Sequence, residues 1–357
     1  MHCELNGVSK NDFLEMPLIQ PCCEGSKRRK MKMKKKYAFL FPGQGAQCPG
    51  MIKDLADSYS STVNKILKDI SEIAELDVAK LMWERDAEVL SRSDNSQIAI
   101  TSASIVILEL LRENGIDCDA AMGFSLGEFP ALYAAGVLTF EDVIKVVRQR
   151  GIIMQDVCEQ IASENAGRAP GMTAVLGLQP EKVVEIAGKI KDAYAANMNS
   201  VKQTVVSGTF DALEQLEKAA ADAGARRTVR LKVAGPFHSP LMQRAADRFQ
   251  EVLEKVNFND PKIHLFSNVT GKEVKTGLDA KNAAVLHLIR PVLWTQEEDV
   301  LSSLIKSDSE ASWQICEPGP GKVLSGLWSQ TEFGASLPSK PVNTADSLAD
   351  FINAQKA

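Results

Sequence analysis

The pentapeptide "GFSLG", Gly123 to Gly127, sits between a short apolar run, "DAAM", and a second apolar, alanine-rich run, "EFPALYAAGVL". Gly-x-Ser-x-Gly between a strand and a helix is the pattern of a nucleophile elbow, a sharp turn that projects the serine from the strand end. Gly123 and Gly127 have no Cβ, so strand and helix can approach closely around a strained Ser125. The N–H of the next residue, Leu126, then points toward the place where an oxyanion would form. A second reading stands beside this one: a loop or helix-cap serine whose capping interaction is completed by Glu128.

The flanking segments read as alternating strands and helices. "KYAFLFPGQGAQ" runs from Tyr37–Phe41 straight into Pro42 and two glycines, a buried strand feeding a tight loop. "SQIAITSASIVILELLREN" repeats its apolar residues at helical spacing, and Thr139 with Glu141 and Asp142 gives a start signal for the helix "EDVIKVVRQRGIIMQ". Between about Cys158 and Lys232 the texture changes. "GMTAVLGL", "KQTVVSGT" and "RRTVRLKV" read as strands, and "PEKVVEIAGKI" and "DALEQLEKAAADAGA" as amphipathic helices. "PKIHLFSNVTG" and "SWQICEPGPGKVLSGL" are strands ending in Gly- or Pro-rich turns that return to the first sheet. At 357 residues, one large domain with an insertion is a reasonable size. The expected fold class is α/β: a hydrolase-like core with a central, mostly parallel sheet and an inserted, small ferredoxin-like α/β subdomain. The expected boundaries are a disordered basic tail over 1–36, the core over 37–157 and 233–335, the subdomain over 158–232, and a C-terminal segment over 336–357. The tail reads as a possible upstream extension, because Met31 and Met33 directly precede the first strand.

Composition narrows the chemistry. No apolar run approaches the roughly 18 residues of a membrane span, so no membrane association is expected. Seven cysteines without metal spacing fit a reducing cytoplasm, and four histidines, none paired at i, i+4, leave little material for zinc; no metal is expected. The net charge is −5, and a surplus of +5 in residues 1–36 leaves −10 on the remainder, which argues against a nucleic-acid-binding body.

A nucleophilic serine needs a base. His2 lies in the tail, and His264 lies in an apolar strand pattern that suits a satisfied core histidine. His238, in the Gly/Pro loop "AGPFHSPLM", is the favoured base, with His287 as its rival. On the helix "DVIKVVRQRG", Val143, Ile144, Val146 and Val147 share one face; Arg150 falls inside that stripe and Arg148 outside it. A buried arginine needs an anionic partner. Two partners are open: an internal carboxylate, or a substrate carboxylate gripped by the guanidinium fork.

Taken together, these segments resemble the malonyl-CoA:acyl carrier protein transacylase family of fatty-acid and polyketide acyltransferases. The resemblance covers about residues 37–330 and rests on "FPGQGAQ", "GFSLGE", "QRGIIMQ", "GMTAVLGL", "NMNSVKQTVVSG", "GPFHSPLM", "SNVTG", "IRPVLWTQ" and "EPGPGKVLSGL" in the family's order. It implies Ser125 as nucleophile and His238 as base, with the backbone carbonyl of His287 orienting the base. It implies an oxyanion hole from the N–H groups of Gln44 and Leu126, Arg150 against the malonyl carboxylate, and Asn199 lining the pocket. The implied reaction is ping-pong malonyl transfer from malonyl-CoA to holo-acyl carrier protein, by a monomer without a cofactor. Phe237 resembles the aromatic of malonyl-selective members. Phe124 departs from the family, which has histidine before the nucleophile; a phenyl ring there can only fill space.

Two rival functions share parts of this pattern. An α/β-hydrolase would add an acidic triad member between serine and histidine, and an editing relative would hydrolyse stalled acyl groups. Acyl carrier protein is acidic, so Arg226, Arg227, Arg230 and Lys232 in "GARRTVRLK" form a candidate docking patch; charges protecting a strand edge explain them equally well.

Overall fold

A computed structural model of the chain describes residues 33–165 and 167–356. Its ten strands are β1 Lys34–Phe41, β2 Ala120–Gly123, β3 Gly171–Leu176, β4 Ala193–Ser200, β5 Gln203–Gly208, β6 Arg227–Arg230, β7 His264–Ser267, β8 Lys272–Val274, β9 Ala311–Pro318 and β10 Ser339–Val342. Six of them form one sheet in the order β10-β9-β1-β2-β7-β8. Every pairing in it is parallel except that of β7 with β8.

Residues 38–41 of β1 are all buried, as a central parallel strand covered on both faces requires. Phe39 and Phe41 pack into one apolar cluster with Ile98, Val147 and Phe249, on the side of the helices Ser93–Glu113 and Phe140–Glu164. Ala38 and Leu40 face the other way, into a cluster with Trp294, Leu301 and Trp328. Because β1, β2 and β7 are parallel neighbours, their C-terminal ends emerge on one edge of the sheet. The loop after β1, the turn after β2 and the turn after β7 are therefore adjacent, where open α/β sheets place their sites.

The second sheet has the order β4-β5-β3-β6 and is antiparallel throughout. Its chain path is strand, helix, strand, strand, helix, strand. The helices Pro180–Gly188 and Phe210–Asp222 cover it through Val183, Ile186, Leu213 and Leu216. The backbone ties it to the core: Met198 N–H donates to the Val292 carbonyl at 3.0 Å, and Val292 N–H donates to that of Ala196 at 2.8 Å. The Ser207 hydroxyl of β5 donates to the carbonyl of Phe237.

Several sequence expectations shift. Of the expected tail, residues 1–32 lie outside the described residues, whereas Lys34, Lys35 and Lys36 are strand, paired with Ala311, Ser312 and Trp313 of β9. Parallel pairing satisfies their backbone groups, and Lys36 binds Asp308 at 2.6 Å. The helix Phe140–Glu164 carries Cys158 and Ile161 into the core, so the second sheet begins only at Gly171. In the C-terminal segment, β10 extends the central sheet, and the helix Ala345–Lys356 buries Leu348, Phe351 and Ile352. His264 is not a core residue. Its side chain is half-exposed at the start of β7, with Nδ1 2.7 Å from Glu273 Oε1.

Glycine is required where the strand ends meet the helix. A Cβ on Gly123 would lie 1.9 Å from the carbonyl oxygen of Gly127, and one on Gly127 would lie 2.0 Å from that of Phe41. Gly43 packs as tightly against the carbonyl of Phe124, at 2.3 Å. Backbone cannot yield as a flexible side-chain tip does, so Gly127→Ala is expected to destabilise the fold by about 3 kcal/mol, the upper end for an overpacked core. Chemical denaturation checks this; an unchanged midpoint would contradict the close approach.

Candidate active site

The turn after β2 is an elbow. Ser125 has φ 50°, the left-handed region that L-residues avoid, and it opens a short 3-10 turn, Ser125–Gly127, leading into the helix Glu128–Ala134. The strain is held by a side chain from the next strand: Asn268, just after β7, accepts from Ser125 N–H through Oδ1 at 2.6 Å. Its Nδ2 donates to the Gly123 carbonyl at 2.7 Å and to Glu297 Oε1 at 2.8 Å. The alternative reading of Glu128 as a cap for Ser125 is not met. Its buried carboxylate Oε2 accepts instead from Asn268 N–H at 2.9 Å.

Ser125 Oγ lies 2.7 Å from Nε2 of His238, and Nδ1 of His238 lies 2.9 Å from the backbone carbonyl of His287. A carbonyl can only accept, so Nδ1 carries the proton and Nε2 presents a lone pair to the serine hydroxyl. The group on Nδ1 is a backbone carbonyl, not the carboxylate expected of an α/β-hydrolase triad. His238 also has a positive φ, 56°, which aims its ring from a loop locked by the bond between Ser207 and the Phe237 carbonyl.

Arg150 is 1% exposed. Nη1 donates to Gln97 Oε1 at 2.7 Å, Nη2 donates to Nδ1 of His287 at 3.2 Å, and the guanidinium lies 5.3 Å from the Phe129 ring centre. Among the described residues no carboxylate comes within 4.0 Å of it, and its Nε has no partner. The internal ion pair left open by the sequence is therefore not formed there.

Burial sets the electrostatics. It pushes Arg150 down to about 9, so the group remains a cation at neutral pH. Burial, then the Arg150 charge, lowers His238 to about 4 and His287 well below its usual 6.5. Burial raises the Glu128 carboxyl to about 7 and that of Glu297 well above the usual carboxylate range.

The remaining predicted residues sit as follows. Leu126 is the second residue of the 3-10 turn, where N–H groups precede the first intrahelical bond. Gln44 lies in the loop after β1, its side chain 3.3 Å from Ser93 Oγ and 3.5 Å from Gln97 Nε2. Phe237 is buried beside the base. Phe124 packs edge-on against Trp294 at 5.5 Å between ring centres. Asn199 is a half-buried residue of β4 whose Oδ1 has no partner among the described residues; no hydrogen bond joins it to Ser125, His238 or Arg150. Arg230 is tied to Glu217 at 2.9 Å and stacks on Phe210, while Arg227 at the start of the edge strand β6 and Arg226 and Lys232 flanking it are exposed. Sequence reasoning missed Gln97, whose only signal was one amide in an apolar helical run, and Asn268, which looked like an ordinary turn residue after a strand.

The arrangement can support acyl transfer through a serine ester: a serine on a strained turn, a neutral imidazole of fixed tautomer at hydrogen-bond distance from its hydroxyl, and a buried cation nearby. The sequence pattern of the acyl transferase domain matches residues 38–300. A malonyl CoA-acyl carrier protein transacylase of Bacillus subtilis is 37% identical over 296 residues, 82% of this chain and 89% of its own. Among solved structures, a type II PKS acyl-carrier protein in complex with its malonyl-transacylase gives a match of TM-score 0.81 at 30% identity, covering 89% of this chain and 99% of that one. An acyl carrier protein S-malonyltransferase from Vibrio cholerae gives 0.80 at 32%, covering 88% and 99%.

An imidazole that stays neutral down to low pH, serving as base, would leave a direct signature. The acid limb of kcat/KM for serine acylation is expected near pH 4, where His238 takes up its proton, rather than near 6.5. Stopped-flow acylation between pH 4 and 8 measures it, and a limb at 6.5 would contradict the buried base.

Proposed function

The chain belongs to the acyl transferase domain family, and from that premise we propose that it transfers a malonyl group from malonyl-CoA to the phosphopantetheine thiol of acyl carrier protein. The observation that carries this reading is the buried Arg150, free of any carboxylate within 4.0 Å among the described residues and adjoining the Ser125–His238 pair through His287.

Ser125 Oγ attacks the malonyl thioester carbonyl while its proton passes to Nε2 of His238. The oxyanion is met by the N–H groups of Leu126 and Gln44, which lie at the ends of adjacent parallel strands. Collapse of the intermediate breaks the C–S bond, and His238 returns the proton to the departing CoA sulfur. The carrier thiol then gives its proton to His238 and attacks the Ser125 ester, and the same proton restores the serine hydroxyl. A backbone carbonyl at Nδ1 suffices to orient His238 through both half-reactions. Thioester and ester have comparable transfer potential, so the chemistry asks for no metal or cofactor.

Arg150 supplies the acyl selectivity. Acetyl-CoA would leave the buried guanidinium without an anion, whereas the malonyl carboxylate takes its unused N–H groups. Phe237, buried beside the base, suits the small malonyl group, and Phe124, held on Trp294, puts an apolar ring next to Ser125 in the chain. Asn199 brings an Oδ1 without a partner among the described residues to where β4 meets the core. The enzyme would supply fatty-acid or polyketide synthesis as a monomer. Among the described residues Cys48, Cys118, Cys158 and Cys316 form no disulfide with one another, which fits a reducing cytoplasm. No helix among the described residues is long and apolar enough to cross a membrane.

Brief exposure to malonyl-CoA, read by intact-protein mass, is expected to give an acyl adduct on Ser125, discharged by holo-acyl carrier protein and absent from Ser125→Ala. Arg150→Ala is expected to slow malonyl acylation on the order of a hundredfold, about 2.7 kcal/mol, while acetyl acylation changes little. Unchanged malonyl-over-acetyl selectivity would refute the arginine clamp.

A further inference from the structure

The His287 side chain takes no part in the mechanism above, which uses only its carbonyl. Its imidazole is 1% exposed and stands between the Arg150 cation and the Glu128 carboxyl. Nδ1 is 3.2 Å from Arg150 Nη2, while Nε2 is 3.2 Å from Asn268 Oδ1 and 3.5 Å from Glu128 Oε2. The Phe129 ring packs edge-on at 5.9 Å, and the His238 ring edge-on at 5.4 Å. The hydrogen-bond network settles the tautomer. Asn268 Oδ1 accepts from Ser125 N–H, and Nδ2 of the same amide donates to the Gly123 carbonyl, so the amide cannot be turned round. Oδ1 can therefore only accept from His287, whose Nε2 carries the proton. Nδ1 is left with a lone pair facing the Arg150 N–H.

Resting on the reading of Arg150 as the carboxylate-binding group, we infer that the His287 imidazole is a positioning residue: a neutral spacer that fixes the Arg150 fork while holding Glu128 away from it. Two uncharged acceptors, Gln97 Oε1 and His287 Nδ1, take one N–H from each Nη. Three of the five donors remain, and the charge is not cancelled. A carboxylate in the ring's place would pair with Arg150 and compete with the substrate. Protonation of His287 would set an N–H against the Arg150 N–H and remove the spacer's grip. Arg150, His238, Glu128 and, through Asn268, Glu297 are the titratable groups around it. Burial and the first two hold it neutral.

Through Asn268, the ring that holds the arginine also bonds the amide that holds the backbone of the nucleophile. Asn268 keeps its own bonds to Ser125 N–H and to the Gly123 carbonyl whatever side chain stands at 287, so the elbow does not depend on the ring.

Substitution separates the side chain from the carbonyl, which every variant keeps. His287→Gln presents one acceptor and one donor at similar reach and is expected to stay within about threefold of the parent in malonyl-CoA KM. His287→Phe loses both and is expected to raise that KM at least tenfold, with acetyl acylation within about threefold. In the Arg150→Ala background the Phe substitution is expected to add nothing. Equal losses toward malonyl and acetyl groups, or an undiminished Phe effect without Arg150, would overturn the spacer. Unchanged malonyl selectivity in Arg150→Ala alone would instead remove the reading beneath it. Should His287→Phe fail to fold, 15N spectra of histidine-labelled parent enzyme decide the matter: His287 is expected as the neutral Nε2–H tautomer from pH 5 to 8, and an Nδ1–H or doubly protonated ring would overturn the inference.

Discussion

The side-chain amide of Asn268 is the contact on which the site depends. It spans the turn of the elbow, accepting from Ser125 N–H and donating to the Gly123 carbonyl, and so clamps both sides of a backbone held at positive φ. A left-handed non-glycine residue costs on the order of 1–3 kcal/mol and persists only where its surroundings over-determine it. Asn268, the facing backbone of Phe41 and the missing Cβ atoms of Gly123 and Gly127 together provide that. The parallel register of β1, β2 and β7 brings all of these groups to one sheet edge.

Around that clamp the polar groups are arranged by charge economy in the interior. Among the described residues Arg150 is the one cation fully sealed within this network, and its close partners are an amide oxygen, an imidazole lone pair and an aromatic face. Both histidines are neutral and each has a single tautomer imposed on it: Nδ1–H on His238 by a carbonyl, Nε2–H on His287 by an amide oxygen. Burial pushes the Glu297 carboxyl well above the usual carboxylate range. Such an interior favours an incoming carboxylate over a neutral acyl group, in line with the proposed malonyl transfer.

The legible parts of the molecule were those governed by local pattern. The elbow follows from glycine spacing between two apolar runs, and the inward side of Arg150 from 100° per residue along Val143–Val147. Composition could not show that Lys34–Lys36 form strand, because basic residues gain order only from β9 and Asp308, more than 270 positions away. His264 misled for the converse reason. It begins an apolar strand, but the strand lies next to the sheet edge and Glu273 draws the ring outward. Asn268 and Gln97 were invisible as functional residues, since nothing in a turn asparagine or a helical glutamine announces a partner 143 or 53 residues distant. The choice between an internal and an external anion for Arg150 required knowing which carboxylates approach it, a tertiary fact.

Ser125 and His238 share one further property: both catalytic candidates have backbones in the region that suits glycine. At each position the side chain that would do the chemistry opposes the conformation that aims it. Selection for a durable fold alone would drift toward glycine at both sites and silence the enzyme. Retaining serine and histidine there means that reactivity is kept against a standing thermodynamic pull, and a more robust version of this protein has to find its stability elsewhere in the chain.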